Sequence, residues 1–331
     1  METRKAQLTG GSTFTVSLPK EWANEIDLET GDTLRLYPRK RTIIIESAED
    51  DDYWETNVDI DHFSETQVRR TIQALYTTGF NRLTLSASTD LSQNRRVISA
   101  TAREFIGLET LESTDTQVKL QSLLDSATVS VEQSTVQIQQ VALSMHEDAV
   151  TTLIEQDDAL AEHVIEQDDQ VDRLYAMISR HFQRSLVRLR ETEELDLDQS
   201  DLYDYQTTAR QLERVADHAE KIANLAARFK NPLPDDFVDE IETNAEASRR
   251  IVEQATSTII GDADIETAHR ALDNRDELAA ELEDLERELH ERDIPESHLI
   301  ALTLDSLTRT AEYGGNIAET ALQTAAREKQ L

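Results

Sequence analysis

The windows Leu212–Ala226 and Leu307–Ala321 stand 95 residues apart and coincide at Leu212/Leu307, Arg214/Arg309, Ala216/Ala311, Ile222/Ile317, Ala223/Ala318 and Ala226/Ala321. Unrelated stretches of that length share roughly one residue, so the C-terminal half reads as a duplication. Apolar positions three and four apart make both copies amphipathic helices. The same periodicity runs almost unbroken from Val136 and predicts helices over 138–157, 159–190, 200–229, 235–260, 264–292 and 297–328, two sets of three. Pro232 and Pro234 mark the turn between the sets, Gly261 and Asp262 the next break, and Pro295 a helix start.

In the first copy Glu213 and Asp217 lie four residues apart, one turn along the same helix face, where two carboxylates can hold a hard cation through oxygen. With 67 acidic residues in 331, chance alone supplies on the order of a dozen such pairs, most of them solvated. In the second helix Asp168 and Asp172 repeat the spacing and could face the first pair across the bundle. Four converging carboxylates repel one another unless a cation or raised pKa values relieve them. The competing reading is that Arg173, Arg210, Arg214 and Lys221 neutralise them as surface ion pairs.

Arg210 to Ala219 resembles the helix signature of the PhoU family of phosphate-uptake regulators, and Val164 to Leu174 is similar to the same family. The resemblance covers roughly residues 139 to 331. It implies a mainly α fold of two tandem three-helix bundles, no catalysis, and acidic metal-binding motifs to which Glu213 and Asp217 correspond. In the second copy Thr308 replaces the Glu of that motif and Glu312 its Asp, which leaves Glu312 as the candidate ligand there. Oxygen donors without any cysteine favour magnesium, manganese, calcium or iron, and the resemblance adds zinc to a divalent or ferric set. The implied partners are a phosphate transporter or a sensor protein. A carboxylate-bridged metalloenzyme is the rival from another class, but no paired Glu-x-x-His supports it. The eight histidines are too scattered for a zinc signature and read mostly as surface residues, with His218 turned about 100° from Asp217.

The N-terminal segment differs in charge from everything after it. Residues 1 to 46 hold seven basic and seven acidic side chains, whereas the whole chain carries −34. Phe14–Leu18, Thr33–Tyr37 and Thr42–Glu46 read as strands, Pro19 to Ile26 as a short helix. Gly10 to Trp22, followed by Gly31 and Asp32, resembles the SpoVT/AbrB family of swapped-hairpin β domains that dimerise and bind DNA. The family's basic arm and loop correspond to Arg4, Lys5 and Lys20. Arg39, Lys40 and Arg41 read either as a charged hairpin tip or as phosphate contacts. A homodimer is also expected physically, because about 46 residues of short strands make a meagre core alone.

Three domains result: 1–47, the swapped-hairpin unit; 53–135, a small α/β connector or ligand-responsive unit after the acidic linker Glu49–Asp52; and 138–331, the double bundle. Within the connector, Glu65–Thr77 and Asn94–Phe105 read as helices, Arg82–Ser86 and Val118–Ser122 as strands, and no nucleotide loop or catalytic cluster stands out. No run approaches a membrane span and no apolar signal core opens the chain, so a cytoplasmic location without membrane insertion is expected. Carboxylates spread over every segment, with few lysines and aromatics, look like adaptation to a salt-rich cytoplasm in which Debye lengths shrink to a few ångströms. Function is then expected in the regulation of phosphate uptake through protein partners and DNA. The alternative is an AbrB-type transcriptional regulator with the helices as a metal- or phosphate-responsive effector.

Overall fold

A computed structural model describes residues 3–39, 41–47, 54–88, 91–261, 263–292 and 294–329. The linker Glu49–Asp52, Tyr53, Lys40 and Asp262 lie outside the described residues. The chain divides into two compact units, Met1–Trp54 and Glu55–Leu331.

The smaller unit holds β1 (Gln7–Thr9), β2 (Thr13–Thr15), α1 (Lys20–Glu25), β3 (Leu34–Arg39) and β4 (Thr42–Ser47). β1 and β2 form one antiparallel hairpin, turned by Gly10 and Gly11 at positive φ, and β3 and β4 form another, in which Tyr37 faces Ile44. Each sheet has only two strands, and such hairpins are marginal in water by themselves. Tyr37 is the one large apolar side chain buried in this unit among the described residues, while Leu8, Phe14, Leu36 and Ile43 are each 60% exposed or more.

The larger unit opens with β5 (Glu55–Asp59), α2 (Glu65–Thr78), β6 (Arg82–Ser86), α3 (Ser92–Arg103), β7 (Leu108–Ser113) and β8 (Gln117–Ser122). The sheet order is β5-β6-β8-β7, with β5 parallel to β6 and the other pairs antiparallel. Strands β1, β5 and β7 escape the sequence reading. Each has an edge position and an exposed or half-exposed face, so none carries a continuous apolar alternation. Ser64 caps α2 through a capping box with Gln67, and Gly79, at φ 110°, ends it in the left-handed conformation. Val68, Ile72 and Tyr76 of α2 close over Leu83, Leu85, Val118 and Leu120 of the sheet.

Six long helices follow: α4 (Val131–Glu155), α5 (Asp158–Ser185), α7 (Gln199–Ala226), α8 (Asp235–Ile260), α9 (Ile265–Glu291) and α10 (Ser297–Glu328), with the short α6 (Leu189–Leu195) between α5 and α7. The first helix begins at Val131, earlier than expected, because Ser130 supplies an N-cap to Gln133 N–H. The second stops at Ser185, where the predicted continuation to 190 gives way to a turn and α6. Helices α4, α5 and α7 pack as one bundle and α8, α9 and α10 as another, joined along α7 with α10 and α4 with α8. The mainly α, double three-helix architecture expected from the sequence is therefore present.

The duplication has a geometric counterpart. Where α7 meets α10, Gln211 Oε1 accepts from Asn316 Nδ2 at 3.1 Å, the His218 and Tyr313 rings lie 5.6 Å apart, and Lys221 pairs with Asp305 at 3.0 Å. Lowering the α10 numbers by 95 turns these contacts into 211–221, 218–218 and 221–210, pairs that invert one another about residues 216 to 218. That is the signature of a pseudo-two-fold axis between the repeats.

The α/β layer is fastened to the first bundle through α5. Arg180, 2% exposed, donates to the carbonyl of Tyr76 at 2.6 Å and lies over the Tyr76 ring at 5.0 Å. Arg184 donates to the Gly79 carbonyl at 3.0 Å and Asn81 Oδ1 at 3.1 Å. Its Nε also binds the buried Glu191, which accepts from Ser126 and meets His181 Nδ1 at 2.5 Å. Burial works to raise the Glu191 pKa, but the bonds from His181 and Arg184 outweigh it and hold the carboxyl near 2.

Gly314 lets α10 approach α8. A Cβ there would meet Ile251 Cγ2 at 2.8 Å and the Val252 backbone at 3.0 Å. Although alanine favours a helix by about 1 kcal/mol over glycine, overpacking against a backbone costs about 1–3 kcal/mol. Gly314→Ala should therefore lower the urea midpoint in molar salt, and a raised midpoint would mean that α8 yields.

Candidate functional site

The apolar face of α5 (Val164, Val171, Leu174, Ile178) and that of α7 (Leu212, Val215, Ala216, Ala219) meet in the core of the first bundle. Helical spacing then places Asp168 and Asp172 along one flank of α5 and Glu213 and Asp217 along the neighbouring flank of α7. The four are close enough for their charges to act on one another. Loss of water raises the Asp168 pKa to about 7, with Asp172, Glu220, Asp217 and Glu213 adding to the shift. Glu213 rises to about 7 through burial and the Asp217 charge, against the pull of Arg210. Asp172 is pushed to about 6 by desolvation, Asp217 and Asp169, and Asp217 is raised by desolvation against Arg210 and Arg214.

Among the described residues the competing ion-pair reading is met at one point only. Arg210 Nη1 donates to Glu213 Oε1 at 3.0 Å and stacks over Tyr175. Arg214 lies over the Tyr313 ring at 5.9 Å, and Lys221 pairs with Asp305 instead. Asp168 Oδ1 and Glu213 Oε2 are buried without a hydrogen-bond partner. Orphaned oxygens beside like charges demand a proton or a cation. Yet among the described residues no three acidic or histidine side chains are set to hold a metal ion as they stand.

Glu312 takes no part in this cluster. It is half-buried on α10, bonded to Arg309 at 2.6 Å, and does not figure among the charges that shift the four. His218 faces Tyr313, and loss of water followed by the Lys221 charge brings its pKa down to about 4. The surface reading fails for His146, which is fully buried and held near 3 by desolvation and the Arg249 charge, and for His181, buried against Glu191. For His146 the signal was present: it continues the stripe of Ile138, Ala142, Met145 and Ala149.

In the smaller unit Arg4 and Lys5 are exposed on the extended segment before β1, and Lys20 is exposed at the start of α1. Arg39, half-buried, pairs with Thr42 to close the β3–β4 hairpin, and Arg41 is exposed in its turn. No helix among the described residues is long and apolar enough to cross a membrane.

Residues 135–226 match the PhoU domain family, and residues 7–52 match the antidote-toxin recognition family of MazE, a bacterial antitoxin. The chain carries a PhoU domain, which spans α4 to α7 and all four clustered carboxylates, and a MazE/AbrB-like domain ahead of it. No curated protein matches it. Among solved structures, PhoU from Pseudomonas aeruginosa superposes with a TM-score of 0.52 at 23% identity, covering 60% of this chain and 96% of that one. The phosphate transport system regulatory protein PhoU from Streptococcus pneumoniae gives 0.47 at 20% identity, covering 58% and 91%. The Pseudomonas likeness establishes the fold of the helical region.

Raised carboxyl pKa values carry a definite sign. Unfolded, these groups titrate near ~4; folded, Asp168 and Glu213 titrate near 7. Between those values the folded chain holds more protons, so without metal its stability falls as pH rises from about 4 to about 7. In chelator, Asp168→Asn and Glu213→Gln should each gain in urea midpoint over wild type at pH 7.5 and lose that gain at pH 4. A difference independent of pH would show that the cluster carries no unrelieved charge.

Proposed function

We propose that this chain is a non-enzymatic cytoplasmic regulator of phosphate uptake, acting through a phosphate-transporter or sensor protein. The observation that carries the reading is the PhoU domain at 135–226. Its support is the double-bundle fold shared with the Pseudomonas PhoU structure. In the native host, deletion of the protein should leave phosphate uptake running in phosphate-rich medium; uptake that still shuts off there would remove the reading.

A divalent or ferric ion, iron, zinc, magnesium or manganese, fits the donors. Glu213 and Asp217 would hold it, with Asp168 and Asp172 completing the oxygen set. The ion would supply the positive charge that lets these carboxylates ionise together, which their two orphaned oxygens and raised pKa values favour. Glu213→Gln with Asp217→Asn keeps shape and removes two charges. Bound metal, measured on protein purified in molar salt, should fall in this variant while helicity survives. Wild-type metal stoichiometry in the variant would exclude both residues as ligands.

Dimerisation is assigned to the N-terminal unit, whose exposed Leu8, Phe14, Leu36 and Ile43 and two-stranded sheets lack an internal partner of sufficient area. Light scattering should give a dimer for the whole chain and a monomer once residues 1–47 are removed. A shortened chain that stays dimeric would transfer the contact to the helices.

A second reading, an AbrB-type transcriptional regulator, is favoured by the same MazE/AbrB-like domain and its exposed Arg4, Lys5, Lys20 and Arg41. If these contact phosphates, Arg4→Ala with Lys5→Ala should weaken DNA binding on all sequences and reduce the salt slope by about 2. Unchanged affinity and slope would clear this arm of any DNA role.

A further inference from the structure

A cavity of about 770 Å³ lies between the α/β layer and the first bundle, walled by α2, α3, α5 and α7. That volume falls within the ~300–1,000 Å³ range of small-molecule sites. Four guanidiniums line it: Arg69 of α2, Arg103 of α3, Arg173 of α5 and Arg210 of α7. In a chain with 33 cationic side chains against 67 acidic ones, four around one cavity is a concentration that general composition does not supply.

The four guanidiniums share the walls with four carboxylates, but only two pairs are in contact. Arg69 pairs with Glu104 at 2.8 Å and Arg210 with Glu213 at 3.0 Å, which accounts for two of the four acids on the walls. Asp169 and Asp172 are the others. Arg103 and Arg173 have no carboxylate within ion-pair distance among the described residues.

A second observation is independent of charge. Thr101, 1% exposed, and Ser179, 4% exposed, line the cavity with buried hydroxyls that have no hydrogen-bond partner. Buried hydroxyls are rarely left so, because an unmade bond costs the desolvation of the group. They come from α3 and α5, the helices that supply the two unpaired guanidiniums. Phe105 and Tyr175 add aromatic surface to the same walls.

We propose that this cavity binds a small molecule bearing a phosphoryl group, with Arg103 and Arg173 as charge partners and Thr101 and Ser179 as hydroxyl donors. Guanidinium forks match phosphoryl oxygens in pairs, and hydroxyl donors complete the shell of an anion with more than two acceptor oxygens. The volume and the aromatic surface favour a phosphoester of nucleotide size over free phosphate. Because the walls belong to both the α/β layer and the bundle, occupancy reinforces their docking. The site does not require the metal proposed above, since its four named contacts lie outside that ligand set.

Calorimetric titration of the full-length protein in molar potassium chloride with chelator tests this. The probes are AMP, ATP and inorganic phosphate, with adenosine as the unphosphorylated control. Saturable binding of a nucleotide, one per chain, at least tenfold tighter than phosphate and absent for adenosine, is the expected result. Phosphate binding as tightly as the nucleotides would assign the site to the free anion. Arg103→Ala and Arg173→Ala should each weaken the bound probe tenfold or more, and Thr101→Val with Ser179→Ala should do so without removing charge. All variants should keep wild-type helicity and metal content, which separates this site from the carboxylate cluster. No saturable binding of any phosphorylated probe to the wild type, or undiminished binding in folded arginine variants, overturns the proposal.

Discussion

Two arginines on α5 hold the larger unit together. The carbonyls at the C-terminal end of α2 carry the negative end of a helix dipole, and Arg180 and Arg184 each donate to one of them. Burying Arg180 is unfavourable in isolation, and burial lowers its pKa to about 10. The Tyr76 carbonyl and ring, with Glu191 held ionised nearby, provide the compensation. Gly79 is part of the same joint: a Cβ there would sit 2.4 Å from Arg184 Cγ, so the residue that ends α2 also admits the guanidinium stem. The arginine-lined cavity exists because this joint draws the α/β layer against α5 and α7.

The helices α5 and α7 therefore serve two opposite electrostatic demands along neighbouring strips. One strip gathers Asp168, Asp172, Glu213 and Asp217, whose pKa values are raised first by loss of water and, for the first three, further by neighbouring carboxylates. The other presents Arg173 and Arg210 to the cavity. Arg210 joins them through its bond to Glu213.

The duplication shows how repeats diverge around a shared frame. Contacts between α7 and α10 invert about residues 216 to 218, so apolar packing and helix crossing are common to both copies. The chemistry is not. Thr308 and Glu312 replace the acidic pair, and Glu312 is held by Arg309 on the surface. Gly314 and Gly315 stand where the first copy has Ala219 and Glu220, and they bring α10 against Ile251 of α8 and Arg275 of α9.

Periodicity and composition were enough to determine the six long helices, their grouping in threes, the repeat, the neutral N-terminal hairpins and the identity of the clustered carboxylates. Each of these is a local or repeated property, written in apolar spacing of three and four or in a run of like residues. The edge strands β5 and β7 were not legible because half their surface is exposed and their pairing comes from distant segments. The burial of His146, His181, Arg180 and Glu191 was likewise decided in the tertiary structure, since a polar side chain enters a core only when a partner far along the chain meets it there. Glu191 and Arg184 take their surroundings from Ser126 and Gly79, 65 and 105 residues away, and the cavity between α3 and α5 has no trace in any single stretch. The sequence by itself determined which faces are apolar and which carboxylates share a turn; only the folded chain decided which of its charges are left without a partner, because that depends on what the opposite wall supplies.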